Sequence, residues 1–290
     1  MMISGPVTIA AFKRSLVDEL SGLFPGNEAS SVARIILEHA GFTEYSILKD
    51  PSAIIDNKIR HEIKKIVGEL HHNKPVQYIL GETEFMNLRF FVNEHVLIPR
   101  PETEEMVTHI IRENRLDAPR IIDLGSGSGC IAVSLAHHIP GSRVTALEVD
   151  GEAIKVAEKN ADAHRIKMHF VHQSIFDFHT VGGEDLYDII VSNPPYVTMK
   201  QKTRMAENVT RFEPHVALFV PDNDPLVFYR EIARIALHCL AENGAVWVEI
   251  NEELGEDTSR LFRASGFKHV LLIEDIHGKI RFIKVMKEHG

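Results

Sequence analysis

The sequence predicts an α/β protein in which a bundle of helices precedes a mostly parallel, seven-stranded sheet with helices on both faces. Three observations predict it. Apolar residues recur every three or four positions up to about residue 73, and strand-like and helix-like runs alternate from residue 120 onward. The last two strand-like runs are separated by too few residues for a crossover helix. With 290 residues, 44% hydrophobic and 25% charged, the chain can build one large or two unequal domains.

In the first region Phe12, Leu16, Leu20 and Leu23 form one stripe, Val32, Ile35 and Ile36 another, and Ile59, Ile63, Ile66 and Leu70 a third. Gly26, Gly41 and Pro51 punctuate them, so about four helices are expected in a docking domain over 1–86. Residues 88–98 (LRFFVNEHVLI) are rich in aromatic and β-branched types. With Asn93-Glu94 at their middle they predict a hairpin turning there, inside a linker over 87–100. After Pro99 and Pro101, a helix from Glu102 to about Arg112 puts Met106, His109 and Ile110 on one face and opens a second domain, 101–290.

Strands are expected at 120–125, 143–149, 167–172, 187–192, 244–250, 268–274 and 280–286, with helices at 128–138, 151–163, 225–241 and 255–265. Only His277-Gly278 and their neighbours separate the last two strands, which should pair antiparallel or lie side by side as a terminal hairpin.

Composition narrows the function. Cys130 and Cys239 each sit in an apolar stretch, as reduced, buried thiols do. The first residues show no secretory pattern and no apolar run reaches membrane-spanning length, so a cytoplasmic protein without a membrane partner is expected. A net charge of −9 argues against broad attraction to nucleic acid and favours a protein partner. The 17 histidines include the adjacent pairs His71-His72 and His137-His138, but no cluster has ligand spacing, and no metal is expected.

Two motifs carry chemistry. The run Ile121-Ile122-Asp123-Leu124 breaks into Gly125-Ser126-Gly127-Ser128-Gly129 and then into a helix. Alternate glycines allow positive φ and close backbone approach, and the helix N-terminus offers free N–H groups. The spacing is Gly-x-Gly-x-Gly, unlike the Gly-x-Gly-x-x-Gly of dinucleotide sites. Glu148 follows at the end of the next strand, where a carboxylate can accept two ribose hydroxyls, while Asp150 is expected to cap the following helix. The second motif is Asn193-Pro194-Pro195-Tyr196, directly after the strand 187–192. Two prolines fix φ and remove two donors, leaving a rigid loop of acceptors suited to an –NH2 group. The Asn193 oxygen and the Pro194 carbonyl can each take one proton's hydrogen bond, and Tyr196 can stack on a planar group.

Taken together, Pro75-Val76-Gln77-Tyr78-Ile79-Leu80-Gly81 with Phe85, Ile98-Pro99-Arg100-Pro101-Glu102-Thr103-Glu104, DLGSGSG at 123–129, NPPY at 193–196, and Phe212-Glu213-Pro214 with Ala217-Leu218 resemble the release-factor glutamine N5-methyltransferases over nearly the whole chain. The resemblance implies a Rossmann-like S-adenosylmethionine-dependent domain behind a helical domain and a hairpin linker. It implies cofactor contacts from Asp123, Gly125, Ser126, Gly127, Ser128, Gly129, Glu148, Phe176 and Asn193. Asn193, Pro194, Pro195 and Tyr196 would hold the substrate glutamine, and residues 100–104 would wall the site. Two positions depart from the family pattern: Ser174-Ile175 stand where an acid usually precedes Phe176, and Glu148 replaces the commoner aspartate. The implied substrate is the glutamine of a Gly-Gly-Gln loop in peptide chain release factors. A glutamine of a ribosomal protein and an adenine amine of nucleic acid are the alternatives, the latter with Lys200, Lys202, Arg204 and Arg211 as its basic stripe.

Overall fold

A computed structural model describes residues 6–178 and 186–287, and the chain divides into two compact units. The extremities of the two expected domains, residues 1–5 and 288–290, lie outside the described residues.

The first unit takes in residues up to Gly81, with helices α1 (Ile9–Leu20), α2 (Glu28–His39), α3 (Glu44–Lys49), α4 (Asn57–Leu70) and α5 (Val76–Leu80). Thr8, Thr43 and Asp56 each accept a backbone N–H at the start of α1, α3 and α4, satisfying donors that the helix itself cannot. The expected stripes meet in one core containing Leu16, Leu20, Val32, Ile36, Ile63 and Leu70. Gly81, at φ 73, ends α5 in the left-handed conformation that favours glycine.

The second unit opens with a hairpin, β1 (Glu82–Phe85) and β2 (Leu88–Phe91). Its turn is Met86-Asn87, with φ 52 and 59, and not the expected Asn93-Glu94. Both turn residues are left-handed, as a type I′ two-residue turn requires, but neither is glycine, so the usual signal was missing. Asn93 does turn the chain: its side chain accepts the His95 N–H at 3.0 Å and its carbonyl the Val96 N–H at 3.1 Å, outside any strand.

Next come α6 (Pro101–Glu113), β3 (Arg120–Leu124), α7 (Cys130–His138), β4 (Arg143–Glu148), α8 (Gly151–Ala163), β5 (His169–His172) and β6 (Tyr187–Ser192). A two-residue strand β7 (Val197–Thr198) pairs with β8 (Phe219–Val220), and between them α9 (Glu207–Phe212) clusters with the first unit. The chain continues through α10 (Val227–Cys239), β9 (Leu240–Glu249), α11 (Gly255–Ala264), β10 (His269–Glu274) and β11 (Ile280–Met286).

Seven strands form one sheet in the order β10-β11-β9-β6-β3-β4-β5. The pairs from β9 to β5 are parallel, while β11 runs antiparallel to both neighbours. Alternation along the strands feeds two cores. Ile122, Ile190 and Val246 pack with Tyr229 of α10 and Phe262 of α11, whereas Ile121, Ile189 and Trp247 pack with Met106 of α6 and Ile131 of α7. β3 is followed in space by β4 on one side and by β6 on the other, so the loops leaving β3 and β6 part at their carboxyl ends. In an open α/β sheet that divergence leaves a ligand crevice.

Candidate active site

The crevice is a cavity of about 270 Å³, lined by Gly125, Ser126, Gly127, Ser128, Glu148, Phe176, Asn193, Pro194 and Pro195. Of the other residues singled out in the sequence, Tyr196 lines a second cavity of about 110 Å³, while Asp123 is fully buried at the end of β3. Gly129 is set into the packing, where an added Cβ would come within 3.1 Å of Ala157. The two cavities share Leu97, Arg100, Asn193, Pro194 and Ala217, so they meet at the start of the proline loop.

The glycine turn has φ of 81, 53 and 77 at Gly125, Gly127 and Gly129, values that strain any residue with a Cβ. Glu148 braces it: one carboxylate oxygen accepts the Gly127 N–H at 2.8 Å, and the other accepts those of Val149 and Asp150 at 2.8 and 3.0 Å. A carboxylate has about four lone-pair directions, so roughly one remains for a ligand hydroxyl. Asp150 caps α8 by accepting the Glu152 N–H at 2.8 Å. Asn160, fully buried on α8, donates to the Ser128 carbonyl and exchanges two hydrogen bonds with the backbone of Phe91, so the turn is also tied to β2.

The hydroxyls of Ser126 and Ser128 and the Asp123 carboxyl are buried at this turn without a well-formed hydrogen bond among the described residues, with only the Ala132 N–H acting on Asp123. Burial raises the Asp123 pKa from 3.8 to about 8, with the nearby charge of Glu148 adding to the rise and the Ala132 N–H opposing it. Burial also pushes the Cys130 thiol up to about 12, which makes it a poor nucleophile. Phe176 and Phe228, 5.2 Å apart, form an aromatic wall of the cavity.

At the proline loop, Ser192 donates to the Leu124 carbonyl at 2.6 Å and pins the end of β6 to that of β3. Asn193 Nδ2 donates to Thr103 Oγ1 at 3.0 Å, and Thr103 donates to Glu249 Oε2 at 2.6 Å. The Tyr196 hydroxyl donates to Glu249 Oε1 at 2.9 Å, while Asn251 Nδ2 donates to the Tyr196 carbonyl at 3.1 Å. Burial raises the Glu249 pKa, and burial together with the Glu249 charge holds the Tyr196 hydroxyl well above its ordinary value.

The segment 100–104 distributes its side chains among these parts. Arg100 forms a 2.6 Å ion pair with the buried Glu213, which also accepts the Ile98 N–H, and this joins the two distant motifs that contain them. Pro101 opens α6 and Thr103 reaches Asn193. Glu104 accepts the Met86 N–H at 2.8 Å, holding the hairpin turn.

Sequence reasoning missed Glu249 and Asn251. A signal was present: Glu249 closes a buried strand with a carboxylate, as Glu148 does, but it follows Trp247-Val248 without a glycine turn beside it.

The description methyltransferase small domain fits residues 103–212 as a family model. The chain is 42% identical over 282 residues to a release factor glutamine methyltransferase of Flavobacterium psychrophilum, covering 96% of this chain and 98% of that one. It is 40% identical to the enzyme of the same name from Bacteroides thetaiotaomicron, over 91% of this chain and 95% of that protein. A crystal structure of a methyltransferase from Pyrococcus furiosus shares the fold, with a TM-score of 0.51 and 17% identity, over 70% of this chain and 91% of that one.

Proposed function

We propose the function from one established premise: this chain belongs to the release factor glutamine methyltransferase family. It is a methyltransferase that takes its methyl group from S-adenosylmethionine and acts on a glutamine of release factors. We place the acceptor at N5, the side-chain amide nitrogen, of the glutamine in the Gly-Gly-Gln motif, and the reaction in the cytoplasm, where release factors work.

The residues present fit the methyl donor. Two buried hydroxyls that line the larger cavity without partners, those of Ser126 and Ser128, suit a polar ligand. Residues 125–128 would hold its methionine end and ribose, Glu148 one ribose hydroxyl through its remaining lone-pair direction, and Phe176 with Phe228 the adenine. When bound, S-adenosylmethionine supplies a methyl group already activated by the sulfonium.

The observation that carries the acceptor assignment is the junction of two cavities at Asn193 and Pro194. The larger takes the methyl donor. The smaller, lined by Leu97, Tyr196 and Leu218 among others, admits a side chain from a protein. The Asn193 oxygen and the Pro194 carbonyl would each accept one amide N–H, and the Tyr196 ring would cover the amide plane. Such orientation of two reactants contributes about 7–11 kcal/mol toward the barrier. A general base is not needed, because the surplus proton can leave to water after transfer.

We propose no nucleic-acid substrate. Of the basic stripe, Arg204 pairs with Glu253, Arg211 pairs with Glu207 and Lys202 lies over the Phe219 ring. The test is transfer of labelled methyl to purified release factor, beside the same factor with alanine in place of the Gly-Gly-Gln glutamine, ribosomal proteins and unmethylated DNA. Label that disappears with the glutamine supports the reading. Label on DNA or a ribosomal protein keeps the cofactor but replaces the substrate.

A further inference from the structure

Glu249 is fully buried, carries a carboxylate, and touches neither cavity, yet it receives two side-chain hydrogen bonds from the active site. Taking charged groups out of water is costly unless they are fully partnered, so a carboxylate at this position calls for an explanation. The direction of its hydrogen bonds supplies one. Thr103 has a single hydroxyl proton, and it is directed at Glu249 Oε2. Its oxygen can then only accept from Asn193, which fixes Nδ2 as the end of that amide facing Thr103. The Oδ1 end makes no hydrogen bond among the described residues and is left as the acceptor at the junction of the cavities.

The orientation matters because the two ends of an asparagine amide have nearly the same shape, and only their partners decide which way round it sits. Reversed, Asn193 would present N–H groups to an incoming N–H group, and neither could accept. Tyr196 is held by the same carboxylate, so one buried charge sets both sides of the acceptor pocket.

We infer that Thr103 and Glu249 are positioning residues: through the one-way relay from Asn193 to Thr103 to Glu249 they hold the Asn193 carbonyl oxygen toward the substrate amide. The inference rests on the reading of Asn193 as the acceptor for the glutamine N–H.

The test compares Glu249→Gln, Thr103→Val and Thr103→Ser with the wild type, as full chains with S-adenosylmethionine. The glutamine keeps the shape of Glu249 but turns one acceptor into a donor opposed to an arriving hydroxyl proton. In transfer to release factor, Glu249→Gln and Thr103→Val are expected to lower kcat about a hundredfold, as small misplacements of reacting groups do. KM for the release factor and Kd for S-adenosylmethionine should move less than about threefold, the pattern of an interaction felt only in the transition state. Thr103→Ser, which restores the hydroxyl, should recover most of the lost kcat.

The second readout needs no substrate: the side-chain 15N–1H resonances of Asn193, identified by their loss in Asn193→Asp. They should shift and exchange faster with solvent in Thr103→Val and Glu249→Gln, and return toward wild-type values in Thr103→Ser. Unchanged Asn193 resonances in Thr103→Val overturn the inference, as does an unchanged kcat. A wild type that leaves the glutamine unmethylated overturns the functional reading instead, and the resonances still decide the relay. If Glu249→Gln shows no cooperative thermal transition, the two Thr103 variants decide alone.

Discussion

The loops that leave β3 and β6 sit side by side and meet opposite demands. The first is made of glycines, and at Gly125 and Gly127 an added Cβ would meet nothing within 4 Å, so the reason for glycine there is backbone conformation and access. The second is made of prolines, with the Asn193 and Tyr196 side chains held by Thr103 and Glu249 and the Tyr196 carbonyl held by Asn251. A ligand enclosed by backbone requires the absence of side chains, whereas an acceptor that must be aimed requires side chains that cannot turn.

Four experiments break or sharpen this contrast. The largest effect is expected from Asn193→Ala, which removes an aimed acceptor: kcat should fall about 10²–10³-fold, with a much smaller change in the Kd of S-adenosylmethionine. Equal losses in both would assign Asn193 to the cofactor and collapse the division between the loops.

The next concerns the charge beneath the glycine turn. Native Asp123 keeps its proton to about pH 8, while the unfolded chain releases it near 3.8. Between those values the native state binds more protons, so stability falls as pH rises, and above about 8 the loss is complete. Thermal melts without cofactor should show the wild type losing, relative to Asp123→Asn, on the order of 5 kcal/mol between pH 4 and pH 8. Parallel pH profiles for the two proteins would mean that Asp123 is ionised throughout.

Smaller again is the difference within the glycine turn. Gly129→Ala meets both a left-handed φ and the Ala157 contact and should cost about 2 kcal/mol, whereas Gly127→Ala meets only the φ and should cost about 1. Chemical denaturation measures both, and equal costs would remove the packing role of Gly129. The smallest effect is on the stiff side: Pro195→Ala frees the unfolded chain and should cost about 0.4–1 kcal/mol of stability. A loss of several kcal/mol there would show that the ring is needed for packing more than for rigidity.

The seven strands, their order along the chain and the helices between them were legible because buried strands and amphipathic helices write strong periodicities, as Ile121-Ile122 and the α10 stripe do. The hairpin was misplaced because Met86 and Asn87 take positive φ without a glycine to announce it. At the site, residues that line the cavity were visible as glycines, prolines and a strand-ending Glu148. The pairings between distant motifs were not. Thr103 and Asn193 are 90 positions apart and Arg100 and Glu213 are 113 apart, and such pairings come from the path of the chain through space. Single residues carry no mark of them. The short pair β7 and β8 was missed for the same reason, since two residues show no period.

The sheet has two open borders, and each is blunted. At one end β5 is only four residues long, with exposed histidines at both of its ends. At the other, β10 has exposed polar ends at His269 and Glu274, and its pairing with β11 shifts register between Ile273 and Glu274. A short strand and a local irregularity are poor templates for a further strand. An enzyme that acts on another protein is thereby discouraged from stacking edge to edge with copies of itself, and its colloidal behaviour is protected without closing the sheet into a barrel.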